Sequence, residues 1–146
     1  MPAYIPDNFI LEELIPPELF NIWKDIQQKA WQSADYGALK TLQNLRNRYG
    51  KMRMNNWHTG GPNKYKGLRP MEYQGLTYLS QHKWFKAYDP TPLSEDPEKI
   101  RQDILADPFH EDFKYITCIE MGVSWLHFDT RNWDKVKHGI LKVYPS

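Results

Sequence analysis

A chain of 146 residues has the length of one domain and enough of it to bury a core. Apolar residues make up 40% and aromatic residues 14%, which excludes a disordered chain, and a formal net charge of +1 removes the electrostatic case for a nucleic-acid partner. A single cysteine, Cys118, excludes an internal disulfide. It lies in an apolar run, the setting of a buried small hydrophobe rather than of a nucleophile. Six Trp and nine Tyr read first as large core rings and second as the lining of a cleft for sugar or peptide.

Met1-Pro2-Ala3-Tyr4-Ile5-Pro6 has no basic region followed by an apolar stretch, so neither a secretory signal nor a membrane span is expected. Residues 1–16 read as an extended arm, because Pro2, Pro6 and Pro16-Pro17 discourage early helix. Pro17 suits a first helical turn, and Leu19, Phe20, Trp23, Ile26 and Ala30 fall at helical spacing, predicting a helix from Pro17 to Trp31. Asp35-Tyr36-Gly37 opens a second helix with Leu39, Leu42, Leu45 and Tyr49 inward and Gly50 as its stop. Lys51 to Trp57 alternates like a strand, and the glycines and prolines of residues 58–70 mark a loop. Met71 to Leu79 reads as a short helix or an irregular lead-in to a strand at Lys86–Asp89. Asp96-Pro97-Glu98 starts a third helix over Ser94–Asp107, with Ile100, Ile104 and Leu105 inward. Tyr115–Glu120 and Ser124–Asp129 read as two strands joined at Met121-Gly122, and Gly139–Tyr144 as a last short strand. The expectation is one α+β domain with about three helices on one side of a small, mainly antiparallel sheet and the site on the other.

The chemistry concentrates in Ser80-Gln81-His82-Lys83-Trp84-Phe85-Lys86-Ala87-Tyr88-Asp89 and Trp125-Leu126-His127-Phe128-Asp129. His, Asp and His form an N/O/N set, and a catalytic zinc is typically held by three protein ligands with a fourth position open to water. Trp125, His127 and Asp129 share one strand face because side chains alternate. His58, in the loop after Asn56-Trp57, is a candidate lining residue; His110 and His138 have no supporting pattern. Arg69 is either a solvated surface cation or a bidentate clamp for a substrate carboxylate.

Ser80-x-His82, Ala87-x-Asp89 and Trp125-Leu126-His127-Phe128-Asp129 together resemble the zinc D-Ala-D-Ala carboxypeptidase family. That family includes L-alanyl-D-glutamate endopeptidases of phage endolysins and the vancomycin-resistance D,D-dipeptidases, and it shares the fold of the hedgehog signalling domain. Asn55-Asn56-Trp57, Gly60-Gly61 and Gly67-Leu68-Arg69-Pro70 resemble its small, mostly phage-encoded members. The resemblance covers roughly residues 36–133 of the peptidase-like part, 17–146. It implies one zinc ion held by His82, Asp89 and His127, with Arg69 near the metal and Ser80 and Gln81 as hydrogen-bonding candidates for substrate or the metal's surroundings. Where the family usually has Gly between the first His and the Asp, this chain has Phe85, which implies a different local backbone or an aromatic pocket wall.

The implied reaction needs a general base for the attacking water. Several branches place an acid three positions before the last ligand, but Ser124 stands there. Glu120 and Asp129 are the two acids left nearby, with Glu120 ranked first and Asp129 open to the second role of orienting a zinc His or a neighbouring Arg. The expected function is therefore a zinc peptidase acting on peptidoglycan peptides, endolysin-like, located in the host cytoplasm before lysis or in the virion. The alternative, favoured by Ser124 and Phe85, is a non-catalytic phage component that keeps the fold, with the N-terminal arm binding a virion partner. A hedgehog-like binding module is a third reading, with less behind it because no secretory signal is seen.

Overall fold

A computed structural model describes residues 2–73 and 79–145. The lead-in expected over residues 71–79 falls largely on 74–78, outside the described residues. No helix among the described residues is long and apolar enough to cross a membrane.

The chain is mixed α and β. Its first segment is not a loose arm. Phe9, Leu11, Leu14 and Ile15 are all buried within the one core, and Leu11–Glu13 forms a 3-10 turn. Proline does keep this stretch from helix, but its apolar side chains still have to leave water. The helix expected over Pro17–Trp31 is two: α1 (Pro17–Trp23) and α2 (Gln27–Ser33), separated by a 3-10 turn at Lys24–Ile26. The tighter turn rotates the packing face, so Ala30 and Trp31 are buried while Ile26, expected on the inner stripe, is exposed.

Helix α3 (Tyr36–Tyr49) is as read from the sequence. Leu39, Leu42, Leu45 and Tyr49 are buried, and Gly50 ends the helix at φ 89°. The Asp35 carboxylate caps it, accepting from Ala38 N at 2.9 Å, and accepts as well from the Thr130 hydroxyl at 2.8 Å. Asp35 N donates to Phe85 O at 3.2 Å. One residue thus ties α3 to the two segments that carry the His and Asp motifs.

Strand β1 is only Met52–Arg53. Past it, Asn56 bonds its own loop: Oδ1 accepts from Asn63 N at 2.9 Å, and the 3-10 turn Trp57–Thr59 follows. Such local bonds compete with a ladder. Strands β2 (Ala87–Tyr88) and β3 (Thr91–Pro92) come next, and β3 pairs antiparallel with β1 although it contains Pro92. Helix α4 (Pro97–Ala106) is capped by Asp96, which accepts from Glu98 N at 2.9 Å, and buries Ile100 and Ile104, with Leu105 partly buried. Strands β4 (Cys118–Glu120) and β5 (Phe128–Asp129), the short helix α5 (Lys135–His138) and β6 (Leu141–Val143) complete the chain. The second sheet has the order β2-β5-β4-β6, antiparallel except for the β4–β6 pair.

The hairpin expected over Tyr115–Asp129 is shorter than its alternation suggested. Past Glu120 the pairing stops: the buried Arg101 of α4 donates from Nη1 to Trp125 O and from Nη2 to Val123 O, both at 2.9 Å, while Met121 N donates to Val143 O at 2.8 Å and Leu126 N to Pro90 O at 3.2 Å. The register sets the two faces of the sheet. Tyr88, Phe128 and Ile119 form one row, fully buried in the core that includes the α3 leucines. The alternate row, reached by extending the same pairings one step, is Asp89, His127 and Glu120.

Phe85 has φ 58°, the left-handed conformation that Gly adopts freely. Both expectations for it are corrected: the backbone keeps the glycine-like turn, and the ring is buried in the core against Tyr88, with centroids 6.3 Å apart, rather than walling a pocket. The strain, about 1–2 kcal/mol, is outweighed by burial, since truncating a buried Phe to Ala costs about 3–5 kcal/mol. Phe85→Ala keeps the strain and loses the ring. Phe85→Gly loses the ring but not the favourable turn. Denaturant unfolding should therefore rank Phe85→Gly about 1 kcal/mol more stable than Phe85→Ala, the reverse of the usual order for the pair. Equal or inverted values would mean that the turn is unstrained.

Candidate metal centre

Three elements bring the site together. His82 sits on the 3-10 turn Gln81–Trp84, Asp89 follows β2, and His127 precedes β5. His82 Nε2 stands 3.2 Å from Asp89 Oδ2, and His127 Nδ1 stands 2.7 Å from Asp89 Oδ1. One ligand atom from each of the three lies within 4.8 Å of the others, so the group could hold a metal ion. Two ligands on one tetrahedral ion stand about 3.4 Å apart at bond lengths of 2.0–2.2 Å, which these separations approach.

The far nitrogen of each ring is also held. His82 Nδ1 bonds Gly67 O at 2.8 Å, and His127 Nε2 bonds Asp129 Oδ2 at 2.9 Å. Metal-ligating His residues characteristically donate their second nitrogen to a carbonyl or carboxylate, which fixes tautomer and ring plane. Asp129 is in turn gripped by Arg131, whose Nε and Nη2 donate at 2.8 and 2.7 Å. Fully buried and with both oxygens engaged, Asp129 is an orienting carboxylate, the second of the two roles open to it.

Burial would raise the Asp89 carboxyl, but His82 and then His127 beside it hold it well below the usual carboxylate range. Burial likewise opposes ionisation of Asp129, and the bonds from Arg131 and His127 reverse that. His82 is pushed down by burial, against the upward pull of Asp89. His127 is also buried, yet its bonds to Asp129 and Asp89 win and lift it to about 9. Cys118 is buried on the β4 strand and lifted to about 12 by burial, which removes it as a nucleophile.

Beside the metal set lies a groove of about 390 Å³, lined by Lys64, Tyr65, Lys66, Arg69, Ser124 and Trp125 among others, with Asp89 at one wall. Arg69 belongs to the site: Nη2 donates to Asp89 Oδ2 at 3.2 Å, Nε donates to Tyr65 O at 2.9 Å, and the guanidinium lies over the Tyr73 ring at 5.1 Å. Lys66, which sequence reading missed, donates from Nζ to Asp89 O at 3.2 Å and to the Thr91 hydroxyl at 2.9 Å. Nothing in its local pattern marks it; its place is set by bonds to Asn55, Asp89 and Thr91, all distant in sequence.

Glu120 stands opposite His127 across the β4–β5 pair, its N donating to His127 O at 3.2 Å, and is half-buried. Directly opposed residues of an antiparallel pair share a face, with Cβ atoms roughly 4.5–5.5 Å apart. Three expected contacts do not reach the groove. Ser80 Oγ accepts from His82 N at 3.3 Å and so caps the 3-10 turn. Gln81 is turned back toward Leu79 O, at 3.5 Å. His58 packs against Trp57, with a buried Nδ1 that has no partner among the described residues. None of the three lines the described groove; Ser80 acts on the backbone of the ligand-bearing turn, which is the metal's surroundings rather than substrate.

Comparison of the chain with protein-family models, curated proteins and solved structures gives no match.

The titrations fix how stability without metal should depend on pH. His127 is raised from 6.5 to about 9, so its contribution is complete below pH 6.5 and is lost as pH rises through 9. Asp89, Asp129 and His82 are all lowered, so theirs are lost as pH falls below the unfolded values of 3.8 for the acids and 6.5 for His82. The melting temperature of metal-free protein should peak near pH 6.5 and decline between pH 7 and 9, with the His127 ring titrating near 9 by NMR. A His127 ring already neutral at pH 7.5 would contradict this assignment.

Proposed function

We propose that this chain is a zinc-dependent peptidase of the D-Ala-D-Ala carboxypeptidase type that cleaves peptidoglycan peptides, in a phage endolysin-like setting. The observation that carries the reading is the convergence of His82 Nε2, Asp89 and His127 Nδ1, with both outward ring nitrogens held by Gly67 O and Asp129. An N/O/N donor set beside an open groove suits zinc with a free position. A bound zinc would polarise the scissile carbonyl and lower the pKa of water to near neutrality.

The remaining steps belong to the chain's own groups. Glu120 is the general base: it shares the face of His127 and, among the described residues, no hydrogen bond or ion pair occupies its carboxylate. It takes the proton of the attacking water and returns it to the leaving amine. Asp129 cannot do this, because Arg131 and His127 fill its oxygens; it holds the His127 ring in plane. Arg69 and Lys66 give the groove a cationic wall, and a peptide carboxylate laid there meets the planar guanidinium. Trp125 and Tyr65 supply the apolar walls.

The non-catalytic reading keeps one observation in its favour: Ser124 lines the groove where several branches of the family place an acid. The Glu120 position answers it by supplying a carboxylate from the neighbouring strand.

His82→Ala should abolish stoichiometric zinc by elemental analysis. Glu120→Gln should keep zinc and lose about a hundredfold or more in the rate of muropeptide cleavage followed by mass spectrometry. Asp129→Asn should act through metal, weakening zinc by about 10–100-fold. If the wild type binds zinc and leaves purified peptidoglycan intact, the non-catalytic reading takes over; if Glu120→Gln cuts at the wild-type rate, the base lies elsewhere.

A further inference from the structure

Residues 66–69 form a strap that touches two of the three ligand-bearing segments. Asp89 N donates to Lys66 O at 2.7 Å, His82 Nδ1 bonds Gly67 O at 2.8 Å, and Arg69 N donates to His82 O at 3.1 Å. The plane of the His82 ring and the backbone of Asp89 therefore follow wherever the strap sits.

The strap has no regular structure of its own, and its far side is held by residues from elsewhere. Lys66 N donates to Asn55 Oδ1 at 2.9 Å, and Leu68 N donates to Leu14 O at 2.8 Å. Gly67 lies so close to Leu14 that a Cβ on it would stand 2.2 Å from Leu14 O, a backbone atom that cannot swing aside. Asn55 is 2% exposed, and its other groups reach the same N-terminal segment. Its N donates to Glu13 O at 3.0 Å and its Nδ2 to Ile15 O at 3.1 Å, where Trp57 Nε1 also donates at 3.0 Å. Leu14 and Ile15 are fully buried, so this anchor is itself fixed by the core.

We infer that Asn55 is a positioning residue of the metal centre, its side-chain amide coupling residues 13–15 to the strap that orients His82 and Asp89. One amide spans the two: its oxygen serves the strap and its nitrogen serves the N-terminal segment. Without it, the Lys66 N–H donor and one acceptor lone pair of Ile15 O lose their partner in a dry setting, and the strap can relax away from His82. The inference rests on the metal reading above and concerns affinity for the ion, so its test needs no substrate.

Zinc affinity would be measured by chelator competition on the full chain, beside the melting temperature without metal. The variants are Asn55→Ala and, as a stability control, Ile104→Val in the buried face of α4. Asn55→Ala should weaken zinc by about 10–100-fold, the effect of losing an outer support of a metal site. Its cobalt-substituted visible spectrum should shift as well. Ile104→Val should lower the melting temperature and leave both affinity and spectrum unchanged. If Asn55→Ala does not fold, Asn55→Ser, whose short hydroxyl cannot span both partners, reads the same quantity. Wild-type affinity and spectrum in a destabilised Asn55 variant would make the residue merely structural and overturn the inference. A wild type that takes up no zinc would instead sink the metal reading, and the inference with it.

Discussion

The Asp89 carboxylate is the constraint around which the site is built. It is mostly buried, and one oxygen faces His82 and Arg69 while the other faces His127. A carboxylate in such a place persists only if its lone pairs are met by donors, because an isolated buried charge costs far more than one hydrogen bond returns. Each donor comes from a different part of the chain: a 3-10 turn, a loop and the approach to β5. Meeting one carboxylate therefore fixes the relative position of three segments. The same demand passes outward, from His127 to Asp129 and from Asp129 to Arg131.

The sheet makes this possible by separating its two faces. Tyr88, Phe128 and Ile119 go inward to the helices; Asp89, His127 and Glu120 line the other side. A slip of one residue in either pairing would send the charged row into the core and the aromatic row to the groove, so burial of the rings enforces the register of the site. Short strands suffice because α3 and the N-terminal segment cover the apolar face. Asp35 locks that arrangement by joining the start of α3 to Phe85 and Thr130.

Local patterns carried much of this into view. The stripe at Leu39, Leu42, Leu45 and Tyr49 repeats at helical spacing and meets no competing bond, so α3 was readable to its ends. Alternation around Phe128 placed His127 and Asp129 on one face, and their 2.9 Å contact bears that out. What escaped was set by distant partners. Arg101 looks like a solvated helix cation, yet it is buried and donates to the carbonyls of residues 123 and 125. The proline-rich start read as an arm because proline speaks only about helix, while the burial of Phe9, Leu11 and Leu14 depends on what the rest of the chain leaves uncovered. Ser80, Gln81 and His58 sit near the right motifs in sequence; the 3-10 turn engages the Ser80 hydroxyl with its own backbone, and Gln81 bonds Leu79 O.

The charges of the site also explain why its two histidines behave differently. His82 offers one nitrogen to a neutral carbonyl and the other to a carboxylate shared with Arg69 and His127, and burial outweighs the pull of Asp89 and pushes it down. His127 lies between two carboxylates, only one of which is matched by a bidentate arginine. A positive charge on the Asp89 side of the ring is therefore what this environment favours. A proton on Nδ1 can supply it, and so can a cation bound at the same nitrogen, which puts proton and metal in competition for one position. Uptake of a divalent ion at neutral pH would then expel the His127 proton, and affinity would rise with pH toward about 9. Arg131 shapes this balance from a distance. Its bidentate grip holds Asp129 ionised and oriented on the far nitrogen of the His127 ring.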